Sequence, residues 1–166
     1  MIDRCHLIAT SLLLLLLAGC ASNDINASTA FDPLTPFPPQ ATYTWDAAAN
    51  RLPKDPRLEQ LDLNTRITEA ANEEFSLRGY RQAATGSPDY RLSYQLSIHT
   101  WIGADNSRSV GSLGLTLAEA GSGRRVWMGF ARAEIHVGLT DAERKERLRT
   151  VVARILKKFP PNQRGD

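Results

Sequence analysis

The chain has 166 residues, two cysteines and a formal net charge of +2, with 42% hydrophobic and 23% charged residues. That charge is too small to draw the chain to a nucleic-acid backbone, and two cysteines cannot build the disulfide framework of a small secreted scaffold. The length suits one domain with a real core and is too short for two.

Met1 to His6 is only weakly basic, because Asp3 offsets Arg4, and Leu7 to Ala18 is apolar except for Thr10 and Ser11. This run is shorter than the ~20 residues that span a bilayer and fits the ~7–15 of a signal-peptide core. It closes on Leu17, Ala18 and Gly19, followed at once by Cys20. That lipobox resembles the site cut by the lipoprotein-specific signal peptidase, so residues 1–19 are expected to leave as a signal peptide. Cys20 then carries a diacylglycerol on sulfur and an N-acyl chain such as palmitate. Cys5 leaves with the leader, so the remaining 147 residues hold no free thiol, no thiolate nucleophile and no cysteine metal site. By resemblance to the same pathway, Ala21 in place of a retaining aspartate points to the periplasm-facing leaflet of the outer membrane in a two-membrane bacterium.

Residues 20–40 read as the lipidated cysteine followed by a tether. Four prolines (Pro33, Pro36, Pro38, Pro39) stand among Ser, Thr, Asn and Asp with no hydrophobic period. The domain is expected over 41–161, with a disordered tail over 162–166. Ala41 to Trp45 is β-branched and aromatic and reads as a first strand. A helix is expected from Leu58 to Arg78, with Asp55 as cap, Pro56 in the first position and Gly79 just past the end. Leu63, Ile67, Ala70, Ala71 and Phe75 mark its buried stripe.

Asp89 to Trp101 alternates, with Tyr90, Leu92, Tyr94, Leu96 and Ile98 in one phase and Arg91, Gln95 and His99 in the other. That is a strand buried on one face. Leu113, Leu115 and Leu117 repeat the pattern, and Ala120 to Gly123 supplies a hairpin loop. Arg125 to Val137 is the fourth strand, with Met128, Phe130, Arg132 and His136 in its outward phase. Thr140 and Glu143 form a capping box opening a helix whose stripe is Leu148, Val151, Val152, Ile155 and Leu156, stopped by Phe159-Pro-Pro161. The expected fold is a single small α+β domain in β-α-β-β-β-α order. Its sheet is mostly antiparallel, and both helices pack on one face. The first-to-second strand connection is parallel and right-handed.

Tyr43-Thr-Trp45, Leu77-Arg-Gly-Tyr80, Pro88-Asp-Tyr90, Val126-Trp-Met-Gly129 and Phe159-Pro-Pro161 occur in this order along the chain. Together they resemble the bacterial lipoproteins of domain-of-unknown-function family 4136 (DUF4136). The resemblance spans roughly Phe31 to Pro161 and implies a compact α/β domain on a lipid anchor, with no assigned reaction and no catalytic residues. Its usual Trp-Arg-Gly-like triplet reads Trp127-Met128-Gly129 here.

Chemistry-bearing residues do not converge. His99 and His136 lie on strands two and four, about 10 Å apart, with only Ser112, Gly114 and Thr116 between them, and read as surface histidines. Gly111 to Gly114 lacks a hydrolase elbow, and the glycines of Gly121-Ser-Gly123 precede a strand rather than a helix. Glu73 and Glu74 are helix neighbours that diverge. No catalytic set, metal site or cofactor is expected beyond the acyl chains on Cys20. The last helix region carries seven basic residues against three acidic ones. It reads as a solvated face rather than a lipid-binding one, since the anchor makes that charge redundant.

The remaining candidate surface is the polar sheet face: Arg91, Gln95, His99, Met128, Phe130 and Arg132. Met128 and Phe130 are either an exposed binding strip or are covered by the tether through Phe37. The functional expectation is a non-enzymatic, membrane-anchored cell-envelope lipoprotein that binds or scaffolds another envelope component. The alternatives are a small-ligand or glycan-binding module using Trp101 or Trp127 and, behind it, a hydrolase.

Overall fold

Alternation in the strands and two apolar helix stripes produce one layer of sheet with one layer of helix. The computed structural model describes residues 24–55, 58, 61–102 and 107–160. In chain order the elements are β1 (Asn26–Phe31), β2 (Thr42–Trp45), α1 (Leu63–Leu77), β3 (Arg81–Gln82), β4 (Tyr90–Ile102), β5 (Ser107–Glu119), β6 (Arg125–Glu134) and α2 (Asp141–Leu156). The sheet order is β1-β6-β5-β4-β2-β3. Its ladders are antiparallel from β1 to β4 and parallel where β2 joins β4 and β3. The α+β class and the expected element order hold, with a mixed sheet and two additional strands.

β1 corrects the tether. Asn26–Phe31 pairs along its whole length with Arg132–Trp127 of β6, and Ile25, Thr35 and Phe37 are buried. The fold therefore takes in residues expected to be tether, from Asp24 on, and the lipobox, Cys20 and the 162–166 tail lie outside the described residues. A strand here needs only a partner with a free edge; its own residues are too small to announce it. Phe37 does not cover the open sheet face either. It enters the core on the helix side, stacking on Tyr90 at 6.2 Å and meeting Phe159 edge-on at 5.7 Å.

α1 begins later than expected, at Leu63 behind Asp62, which is left-handed (φ 42°) and gives no side-chain cap. Pro56 lies outside the described residues. Its stripe is as read, with Ile67, Ala70, Ala71 and Phe75 buried. α2 carries the full reciprocal capping box between Thr140 and Glu143, and buries Val151, Val152, Ile155 and Leu156. β6 stops at Glu134, so Ile135, His136 and Val137 leave the sheet. A register shift opposite Leu117 and Ala118 inserts Val126 as an extra residue in β6. This bulge turns both Val126 and Trp127 inward, each 1% exposed.

The core centres on Phe159, whose ring lies 5.0–5.7 Å from those of Trp127, Phe75, Tyr80 and Phe37. The motifs that carry the family resemblance converge on this side. Tyr43 and Trp45, two apart on β2 and so on one face, both donate to Oδ1 of Asn72 on α1, at 2.8 and 2.9 Å. Arg78 Nε donates to the carbonyls of Leu156 and Phe159, satisfying the end of α2, while Gly79 takes the left-handed position (φ 81°) that closes α1. Asp89 accepts from the Thr42 N–H at 2.7 Å and its hydroxyl at 2.8 Å, clamping β2 to β4. Gly129 leaves room for the Trp127 ring, since a Cβ there would lie 2.6 Å from it.

Candidate functional site

With both helices on one side, the other side of the sheet is left open. Register places Gln95, Gly114, Phe130 and Ser28 in one row across β4, β5, β6 and β1. The flanking rows are Ser93-Thr116-Met128-Ala30 and Ser97-Ser112-Arg132-Asn26. Arg91 lies one row beyond on one side, opposite Ala118, and His99 one row beyond on the other, opposite Val110. All six residues read from the alternation share this face. The small residues of β5 make a shallow trough between the two longer rows of side chains. Gln95, His99, Trp101, Met128, Phe130 and Arg132 line it.

Phe130 is 37% exposed at the centre of the trough. The Arg132 guanidinium lies 6.0 Å from its ring centroid, a cation–π contact that holds the arginine flat along the face. Beside it, His99 is tilted against the exposed Trp101 at 6.2 Å.

Four arginines of the helix side are held in ion pairs, and on the sheet Arg108 is paired with Glu134. Arg66 pairs with Asp141, Arg78 with Glu74, Arg147 with Asp24 and Arg149 with Glu73. Arg124 is held by Asp32 and Glu119; a hydrogen bond from the Leu34 N–H to Asp32 and one from the Ser122 hydroxyl to Glu119, seconded by Arg124, hold both carboxyls below their ordinary values. Among the described residues, no ion pair involves Arg91, Arg125 or Arg132. Sequence reasoning found Arg91 and Arg132 but missed Arg125, because the bulge that shifts the phase of β6 leaves no signature in the alternation.

The other expected groups fall apart spatially. His136 lies just past the end of β6 rather than within it, with Nε2 3.3 Å from Asp24 Oδ2. Among the described residues no three His, Cys, Asp or Glu side chains are grouped to hold a metal ion. Gly111 to Gly114 runs inside β5, and Glu73 and Glu74 pair with different arginines. Trp127 is fully buried and cannot stack on a ligand at the surface. No helix among the described residues is long and apolar enough to cross a membrane.

Among the described residues, helices cover one side of the mixed sheet and none covers the other, which defines a small α+β domain. The chain belongs to the family described as Domain of unknown function (DUF4136), whose model matches residues 27–161. The fold is shared with a PelC dodecamer from Paraburkholderia phytofirmans, at 13% identity and TM-score 0.53, covering 80% of this chain and 95% of that one. Lipoprotein GNA1162 from Neisseria meningitidis is similar at 15% identity and TM-score 0.44, over 68% of this chain and 95% of its own. A minor lipoprotein from Acinetobacter baumannii is similar at 12% identity and TM-score 0.43, over 75% and 95%. No curated protein matches the chain.

Proposed function

We propose that this protein is a periplasm-facing lipoprotein anchored through Cys20, in the outer membrane of a two-membrane cell. In this reading its domain is a non-enzymatic module that presents the open sheet face to an acidic surface of another envelope protein. One observation carries the reading: three arginines that take part in no ion pair among the described residues, Arg91, Arg125 and Arg132, border half-buried Met128 and exposed Phe130. Arginine, methionine and an aromatic around a shallow apolar centre match the composition of interface cores, and unpaired guanidinium groups favour carboxylates on the partner.

The test is a photo-crosslinking residue placed at Gln95 in living cells, with Glu146 on α2 as control position. One recurrent adduct to an envelope protein is expected from Gln95 only, and it is lost in the Arg91→Glu/Arg132→Glu variant. Equal adducts from both positions overturn the reading. So does an adduct to a second copy of this chain, which would instead suit an assembly like that of the dodecameric neighbour.

A second reading rests on Trp101, which is 59% exposed at one end of the same face. Tilted against His99 beside Arg132, it suits a sugar ring. Quenching of tryptophan fluorescence by envelope glycans, abolished in Trp101→Ala, distinguishes it.

A further inference from the structure

On the helix side an apolar cavity of about 210 Å³ opens between the N-terminal ends of α1 and α2 and the far ends of β4, β5 and β6. Leu63, Ile67, Leu96, Ile98, Leu148 and Val151 are among its walls. Leu63, Leu96, Ile98 and Leu148 are only partly buried, so aliphatic surface that the fold gathers here remains open. The volume exceeds the ~150 Å³ of an engineered apolar cavity that stays dry and takes up benzene. Arg66, Arg144, Arg147 and His136 stand at the mouth. Arg66 is held by Asp141, and Arg147 by Asp24. Arg144 is exposed and takes part in no ion pair among the described residues.

We infer that this cavity binds one acyl chain of a phospholipid from the leaflet that holds Cys20, with the lipid phosphate at Arg144. This rests on the Cys20 anchor proposed above. Asp24 contacts Arg147 and His136, both at the mouth, so the chain enters the fold beside the opening. Cys20 stands four residues earlier, and an extended chain spans at most about 3.3–3.6 Å per residue. The mouth is thereby held within about 14 Å of the anchoring residue. Two occupants lie in reach: a neighbouring phospholipid and an acyl chain of the anchor itself. The leaflet offers many phospholipids for every anchor, and withdrawing one of the anchor's own chains would also loosen the protein's attachment to the bilayer. Mass action favours the phospholipid.

The test uses the acylated protein in vesicles of phosphatidylethanolamine and phosphatidylglycerol, the latter carrying a diazirine in mid acyl chain. After irradiation, phospholipid adducts are expected on peptides containing Leu96 to Ile98 and Leu148 to Val151. Ala133→Phe, which fills the cavity from its wall, should lower that yield about tenfold with an unchanged Tm. Ile98→Trp on the facing strand gives the same readout if Ala133→Phe does not fold. Arg144→Glu should weaken capture of the anionic lipid. Yields at the cavity peptides no higher than at Met128 to Phe130, or unaltered by cavity filling, overturn the inference. Failure of the anchor is read separately, by mass spectrometry, as cell-derived protein whose Cys20 carries no acyl chain. Failure of the open-face reading appears only in the Gln95 cross-link.

Discussion

Gly129→Ala is the smallest change that should damage this fold. The added Cβ would lie 2.6 and 2.7 Å from two atoms of the Trp127 six-membered ring and 2.7 Å from Ile155 Cγ2. Carbon pairs rest at about 3.5–4.0 Å, so each neighbour must retreat by roughly 1 Å. Neither can: Trp127 is 1% exposed with Phe159 behind it at 5.0 Å, and Ile155 is fully buried on α2. Overpacking of this kind costs about 1–3 kcal/mol, and two blocked neighbours place the cost at the upper end, ~2–3 kcal/mol. For a domain between the size classes usually tabulated, about 3–5 °C per kcal/mol is expected, hence a Tm fall of ~6–15 °C by circular dichroism. Trp127→Phe deletes the clashing ring atoms, so the double variant should lose less than the sum of the two, with a coupling of ~1 kcal/mol or more. A Gly129→Ala Tm within about 2 °C of the parent, or strictly additive losses, would refute the packing argument.

Other outcomes follow from the same core. The Tyr80 hydroxyl is buried without a partner among the described residues, and its burial lifts its pKa well above the ordinary tyrosine value. Tyr80→Phe should therefore leave stability unchanged or raise it by up to about 1 kcal/mol in urea unfolding. Asn72→Ala leaves the Tyr43 hydroxyl and Trp45 indole without their shared acceptor and should cost ~1–3 kcal/mol in the same assay. Arg78→Ala removes the guanidinium donor that the Leu156 and Phe159 carbonyls share after α2, and Arg78→Lys, a point charge rather than a planar fork, should not restore the loss in Tm. Hydrogen bonds from Thr42 hold the Asp89 carboxyl below its usual 3.8. Its contribution is present above that value and is lost as pH falls through the lower folded value, so Asp89→Asn should flatten the Tm–pH curve below about pH 4.

The parts legible in the sequence are those where one residue's environment repeats with a period. β4 showed itself through five alternating apolar residues, and α2 through a capping box whose two hydrogen bonds are local. The six residues of the open face followed from that alternation alone. What sequence could not supply depends on contacts from far along the chain. β1 is a strand only because β6 has a free edge for it, and Phe37 is a core residue only because Phe159, over a hundred positions later, makes a place for it. The bulge that turns Val126 and Trp127 to the same side breaks the very alternation used to read β6. The cavity under the helix ends was likewise invisible, since its walls come from α1, α2 and three strands.

The pairing of β1 with β6 also sets an order of events. The first strand of the domain closes the sheet against the last one, with every other strand between them in sequence. A chain threaded through a membrane from its N-terminus delivers β1 first and must keep it unpaired until β6 arrives, about a hundred residues later. Asn26 to Phe31 carries no charge and no proline, the two devices that keep a waiting strand from pairing elsewhere. The first strand of the fold is thus the last to be secured, and it waits longest without a sheet partner.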